Sequence, residues 1–334
     1  MKAYLDLMQR ILTTGERRDD RTGTGTIGLF GEQLKIDLQD GFPLLTTKRV
    51  PFKSVVAELL WFLRGDTSAA SLRADGCTIW DEWATKEQCA RFDREENDLG
   101  PIYGFAWRHF GGDYQTGGIT FDPETGEISH DPKRRLAVQV LKGGVDRGFD
   151  QIAWLVDEIR KNPYSRRLVV SAWNPRDAAV VALPPCHTLF QCCVQAARAT
   201  EPCDACTSPS SGRHTHEPRL PRLSLHLYMR SADYFLGVPF NVASYALLIH
   251  LLARSTGLQP GTLTVSFGDV HLYKNHLDQA AEQLSREPRP LPSLLIQGDH
   301  TEVPRSILDP GWRKEHVSIV GYDPHPAIKA AVSV

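Results

Sequence analysis

The sequence predicts an α+β fold. Segments with apolar residues at helical spacing and segments with strict apolar–polar alternation both occur along the 334 residues. They follow one another without the regular strand–helix beat of a doubly wound sheet, and no internal repeat divides the chain.

Met1–Leu12 reads as a helix, because Leu5, Met8 and Leu12 share one face. Arg21–Gly28 is a Thr/Gly-rich loop. Leu34, Ile36 and Leu38 alternate with Lys35 and Asp37, as in a strand. In Phe52–Arg64, Val55, Val56, Leu59, Leu60 and Leu63 keep helical spacing. Phe149–Lys161 repeats that pattern with Ile152, Leu155, Val156 and Ile159, and Asn162-Pro163 stops it. Leu168–Trp173, Thr188–Val194 and Arg222–Arg230 read as strands. In the last, Leu223, Leu225, Leu227 and Met229 lie on one face, with Ser224, His226, Tyr228 and Arg230 on the other. Asn241–Ser255 is a helix and Thr262–Phe267 a strand. Stretches at about 111–148 and 195–221 lack periodicity and read as inserted loops or long hairpins. No linker separates domains, so one domain over 1–334 is expected.

With 41% hydrophobic and 23% charged residues, the composition is that of a folded globular chain. A formal net charge of -2 excludes a global basic field for nucleic acid, so any anion site is a local cluster of Arg or Lys. The apolar stretch near Tyr245–Ala253 contains His250 and is too short to span a bilayer. Met1–Asp6 lacks a signal-peptide pattern. The seven cysteines follow no framework spacing. Reduced thiols and a cytoplasmic setting are expected.

Gly23-Thr24-Gly25-Thr26-Ile27-Gly28 matches G-x-G-x-x-G, but a charged loop precedes it and a strand follows, which is the wrong context for a dinucleotide site. The same loop can present Arg21 to an anion. Cys186 follows Pro184-Pro185 at a strand end. It is either a small buried hydrophobe or a nucleophile whose thiolate needs positive charge nearby, from Arg166, Arg167 or Arg230. His187 points to the other face and is no automatic base. Arg166-Arg167 suits a phosphate through its guanidinium forks, or is a solvated pair.

Glu58 lies on the largely apolar helix side of Val55 and Phe62. That placement fits a buried salt bridge or a proton-handling carboxyl with a raised pKa. Asn241 sits where a helix N-cap is expected, and its amide also matches a base edge. His271 and Tyr273 fall in a polar loop beyond a strand, suited to a sugar hydroxyl. Cys203-Asp204-Ala205-Cys206 with His214 and His216 resembles a zinc set, but a loop without metal is the expectation.

Taken in order, Arg21–Thr26, Glu58–Thr67, Ile79–Ala84, Gly100–Gly104, Ser165–Arg167, Pro185–His187, Arg230–Asp233, Phe240-Asn241 and Asp269–Tyr273 resemble the thymidylate synthase family. The resemblance runs from residue 1 to 334, interrupted by the two insertions. It implies a large twisted mixed β-sheet with flanking helices, and a homodimer packed sheet to sheet with shared sites. It also implies reductive methylation of dUMP to dTMP, with 5,10-methylenetetrahydrofolate as carbon and hydride donor. No metal, membrane or DNA partner is implied.

By the same resemblance, Cys186 is the nucleophile, and Glu58 and Tyr103 handle protons. Arg21, Arg166, Arg167, Arg230 and Ser231 form the phosphate set, the first pair of adjacent arginines acting in the partner's site. Asn241 reads uracil, and His271 with Tyr273 reads the sugar. Ile79, Trp80, Asp233, Leu236, Gly237 and Phe240 line the folate pocket, Asp233 also bordering the nucleotide. Lys48 meets the folate tail and the Val334 carboxylate closes the site. A cytosine-directed hydroxymethylase relative would carry Asp at position 241. Two positions depart from the family: Met229 stands where Gln is usual, and Ala331 where the tail usually has proline.

Overall fold

The computed structural model describes residues 1–20, 22–112, 114, 118–121, 128–131, 139–141, 144–146, 148–181, 183–196, 220–297 and 303–333. Arg21, Val334 and the zinc-like residues Cys203, Cys206, His214 and His216 lie outside the described residues.

Six strands make the main sheet: β1 (Glu16–Arg18), β2 (Thr26–Asp37), β3 (Val169–Ser171), β4 (His187–Gln195), β5 (Arg222–Asp233) and β6 (Gln259–Tyr273). Their spatial order is β1-β2-β6-β5-β4-β3. Only β5 and β6 pair in parallel; the other neighbours are antiparallel. The α+β expectation with a large mixed sheet therefore holds. The parallel pair needs a crossover, and the chain supplies it as a 20-residue helix between the two strands.

The flanking helices are α1 (Lys2–Thr14), α2 (Phe52–Leu63), α3 (Tyr103–Arg108), α4 (Gln151–Lys161), α5 (Gly237–Thr256) and α6 (Leu277–Leu284). In α1 the buried residues are Tyr4, Leu7, Met8 and Ile11, one stripe laid on the sheet. Every residue of α2 from Val55 to Leu63 is buried, so this helix is central rather than amphipathic. The Asp150 carboxylate accepts from the Ala153 N–H at 2.9 Å and starts α4 two residues later than the apolar pattern indicated. Gly257, at φ 72, ends α5 in the left-handed region that suits glycine. Among the described residues no helix is long and apolar enough to cross a membrane.

The first insertion contains two short hairpin pairs, Gly118–Phe121 with Ile128–Asp131 and Gln139–Leu141 with Gly144–Asp146. The second interrupts β4 and β5, whose register is closed beneath it by Gln195 opposite Arg222.

Burial alternation in β5 changes phase partway along. Leu223, Leu225, Leu227 and Met229 point into the core, but beyond them Ala232 and Tyr234 do. Its neighbour β6 changes likewise, from Leu263, Val265 and Phe267 to Val270 and Leu272. A shift by one residue turns side chains over to the other face. Gly268 sits at the change: a Cβ there would lie 2.8 Å from Tyr228 Oη and 3.0 Å from the Arg230 carbonyl. Arg230, Ser231, Asp269 and His271 all follow this line.

Two expectations are corrected here. Asn241 is not a helix N-cap, because α5 begins at Gly237 and holds Asn241 in its interior. Pro239 lies in the first turn, where a missing N–H breaks no helical bond. His271 and Tyr273 belong not to a loop but to the last three residues of β6.

The chain ends in an extended tail. Tyr322 Oη donates to the Leu45 carbonyl at 2.8 Å, His325 N–H to Thr46 at 2.8 Å, and Arg286 Nη1 to the Pro326 carbonyl at 2.7 Å. Farther on, His276 Nε2 bonds the Ala331 carbonyl at 2.7 Å, and Thr24 Oγ1 bonds Ser333 Oγ at 3.3 Å.

Candidate active site

Pro184 and Pro185 lead into β4, and Cys186 is the residue just before it. The two carbonyls are taken up by one side chain. Arg230 Nε donates to Pro185 at 2.9 Å and Nη2 to Pro184 at 2.7 Å. Nη2 also stands 3.7 Å from Cys186 Sγ. The Arg230 N–H donates to the Cys186 carbonyl at 2.9 Å, and the Trp173 ring lies 5.4 Å from the guanidinium carbon. Burial pushes the Cys186 thiol up, while the Arg230 charge and a Tyr103 hydrogen bond pull it back. The cysteine is thus paired with its own cation, the arrangement that stabilises a thiolate.

Tyr103 opens α3 and is buried. Its Oη accepts the Cys186 N–H at 2.7 Å. Its ring packs 5.0 Å from Phe62 and 4.8 Å from His187. Glu58, on α2, has one hydrogen bond, from Trp80 Nε1 at 2.7 Å. No cation pairs with it among the described residues. Burial raises its pKa to about 7, against the Trp80 bond. A carboxyl poised there can both give and take a proton at neutral pH.

His187, read from the sequence as no automatic general base, is buried. The structure nevertheless gives it a position of consequence. Its ring packs 4.8 Å from Tyr103 and 5.4 Å from Tyr245, with the Asn241 side chain beside it. Burial lowers its pKa to about 4, with the Asn241 side chain pulling the other way. One turn earlier, Gly237 leaves the amide uncovered; a Cβ there would lie 3.6 Å from Asn241 Oδ1.

The turn into α5 is made by Asp233, whose Oδ1 accepts from the Phe235 and Leu236 N–H groups at 2.9 and 3.0 Å. Asp233 thus closes the turn ahead of the helix, whose own N-cap position, Leu236, makes no side-chain cap. On β6, His271 Nδ1 meets Asp269 Oδ1 at 2.6 Å, and Arg18 Nη1 meets Asp269 Oδ2 at 3.0 Å. The His271 bond, ahead of other influences, holds the Asp269 carboxyl below its ordinary range. Tyr273 packs edge-on to His271 at 5.1 Å. Arg18 escaped the sequence reading, because a charged residue in a short edge strand carries no signal by itself. Asp269 was visible only as a neighbour of His271.

Lys48 is buried rather than set at an exposed rim. Its ammonium donates to the Phe235 carbonyl and lies 3.5 Å from the centre of the Phe235 ring; burial lowers its pKa to about 7. Ile79, Leu236 and Phe240 are half-buried and Trp80 is buried. Ser231 is half-buried, opposite Asp269 across the parallel pair. Arg166 and Arg167 are exposed in the turn before β3, and their side chains join none of these groups. Met229 is buried and lies opposite His187 on β4.

Two clusters therefore converge: Cys186 with Arg230 and Tyr103, and Tyr103 with His187 and Asn241. Glu58 and Trp80 adjoin them through the Tyr103 and Phe62 rings. Among the described residues no three His, Cys, Asp or Glu side chains gather as a metal-binding set. The sequence model of a family described as thymidylate synthase matches residues 2–334.

Proposed function

Because the chain belongs to the thymidylate synthase family, a methyltransferase family that makes dTMP from dUMP with 5,10-methylenetetrahydrofolate, we propose that Cys186 is the nucleophile of that reaction. The observation that carries this assignment is the contact of Arg230 with Cys186 Sγ at 3.7 Å.

The thiolate adds to carbon 6 of the uracil ring, and negative charge moves onto the ring carbonyl. Carbon 5 then attacks the methylene of the folate. Loss of the carbon-5 proton and elimination of the folate leave an exocyclic methylene; hydride from tetrahydrofolate adds to it, the carbon 5–carbon 6 double bond re-forms and the Cys186 thiolate leaves carbon 6. The products are dTMP and dihydrofolate. Asn241 reads the uracil edge, its amide carbonyl and NH2 matching the ring N–H and the ring carbonyl. Glu58 exchanges the proton at that carbonyl through water, and Tyr103 steadies the cysteine backbone.

Arg230, Ser231 and Arg21 hold the nucleotide phosphate, with Arg166 and Arg167 of the partner subunit. His271 and Tyr273 bind the sugar hydroxyl, Asp269 fixing the imidazole. The folate lies against Ile79, Trp80, Leu236, Gly237 and Phe240, next to Asp233 and Lys48, and Val334 closes over it. The enzyme is a single-domain cytoplasmic homodimer that requires no metal and binds neither membrane nor DNA. Exposed Leu189 and Tyr228, opposite one another on β4 and β5, support the uncovered sheet face as the dimer surface.

The test is an absorbance assay for dihydrofolate with dUMP and methylenetetrahydrofolate. The parent chain forms dihydrofolate and dTMP in equal amounts. Activity persisting in Cys186→Ala removes the assignment.

A further inference from the structure

His276 lies outside every role assigned above, yet it is fully buried. It ends the short turn Lys274–His276 that follows β6, three residues after Tyr273. Its ring packs 5.6 Å from Phe235 and 5.7 Å from Tyr273. Its Nε2 bonds the Ala331 carbonyl at 2.7 Å. A carbonyl only accepts, so Nε2 carries the proton and the tautomer is fixed. Nδ1 is buried and has no hydrogen bond among the described residues. The single bond to the tail is therefore what this imidazole does with its polar atoms.

Beyond Pro326, the tail has two hydrogen bonds among the described residues. One is this bond, and the other is the Thr24–Ser333 hydroxyl contact at 3.3 Å. Ala331 itself is exposed. An exposed strap is thus held from beneath by a donor inside the core. The same turn also grips the loop that carries Arg21, since the Lys274 N–H donates to the Gly25 carbonyl at 2.9 Å. Four parts of the site meet on one short turn: that loop through Gly25, the segment entering α5 through Phe235, the sugar-reading end of β6 through Tyr273, and the tail.

We propose that His276 is a positioning residue that catches the C-terminal tail, holding the closed tail through the Ala331 backbone carbonyl and registering it against Phe235 and Tyr273. Because the acceptor is main chain, the catch works with alanine at 331 as it would with proline. The kinetic part of this inference rests on the reading of the tail as the cover of the folate side. The physical part does not.

The experiment compares His276→Phe, His276→Gln and His276→Asn as full-length proteins. Carboxypeptidase digestion without substrates, followed by mass spectrometry, times the loss of residues 331–334. Gln places its amide near the position of Nε2, whereas Asn places it near Nδ1. His276→Phe should be trimmed several-fold faster than the parent, His276→Asn nearly as fast, and His276→Gln close to the parent rate. With dUMP saturating, His276→Phe should raise the KM for methylenetetrahydrofolate about tenfold and leave the dUMP Kd within about twofold, with Gln restoring the folate KM. If His276→Phe does not fold, Asn against Gln gives the same comparison. Equal trimming of Asn and Gln overturns the proposal. Tail trimming that follows the proposal with an unchanged folate KM keeps the catch and instead removes the reading of the tail as the folate cover.

Discussion

The hydroxyl of Tyr103 accepts the backbone N–H of Cys186 at 2.7 Å. This fixes the main chain that carries the sulfur, while Arg230 meets the sulfur itself at 3.7 Å. Tyr103→Phe leaves that N–H without its acceptor, at a cost of about 1–3 kcal/mol. It also removes one of the two influences that pull the thiol down. Turnover should fall about tenfold to a hundredfold, with dUMP binding less affected. Slower iodoacetamide alkylation of Cys186 at pH 8 is the independent check. Unchanged alkylation and turnover mean that the bond has no catalytic consequence.

The second prediction separates the cysteines. Cys186→Ala abolishes dTMP formation and still binds dUMP, because Arg230 remains. Cys193 is exposed on the open sheet face and Cys192 is a core residue. Their alanine variants should retain activity, with some stability lost for Cys192→Ala, where a buried atom is removed. Calorimetry of dUMP binding and the dihydrofolate assay read both arms.

Glu58 has a pKa of about 7 against an ordinary 4.5. Between those limits the folded chain keeps a proton that the unfolded chain has lost. Stability from this group is therefore present at low pH and is lost as pH rises through that window, by about 3 kcal/mol in full. Glu58→Gln has no such loss. Urea melts at pH 5 and pH 8 should show the stability difference between the two proteins moving about 2–3 kcal/mol in favour of Gln. The same variant should lose about 100-fold or more in kcat. A pH-independent difference rules out the raised carboxyl.

Base choice rests on the Asn241–His187 contact. Asn241→Asp should lower dUMP methylation and raise dCMP methylation, a change of roughly 1–3 kcal/mol in the ratio of kcat/KM. His187→Phe keeps a ring in place but removes the polar neighbour of the amide, so discrimination between the two bases should fall about tenfold. Ratios equal to the parent in both variants leave Asn241 without a reading role.

Subunit sharing is tested by mixing. Cys186→Ala and Arg166→Ala homodimers are each inactive. After exchange, one site in each hybrid carries neither lesion, so about a quarter of the parent's specific activity returns. Confirmed exchange without recovery assigns Arg166 to its own subunit's site.

Much of the architecture was legible because burial is periodic. The apolar spacing of α1 and α2 names each as a helix, and the alternation of β5 names its inward face. The buried stripe of α1, however, is Tyr4, Leu7, Met8 and Ile11 rather than the Leu5, Met8 and Leu12 face read from the sequence, and α2 is buried from Val55 to Leu63. The ends were less legible. Thr262–Phe267 reads as a short strand, whereas β6 extends to Tyr273, because the phase change at Gly268 breaks the alternation that marks a strand. Asn241 resembled a cap because Gly237 and Pro239 look unlike helix, although both are tolerated in a first turn. The pairing of His187 with Asn241 and of Arg18 with Asp269 joins residues far apart in the chain, and no local pattern announces either.

The closed register of Gln195 opposite Arg222 gives the enzyme modularity. Cys186 precedes one end of β4, and the insertion leaves from the other, nine residues along at about 3.3 Å each. Roughly 30 Å of paired strand lies between them. The pairs that hold the strand next to Cys186 do not draw on residues 197–219, since the ladder closes at Gln195 and Arg222. Shortening that segment to a tight turn is therefore expected to leave the nucleophile's end of the hairpin in register.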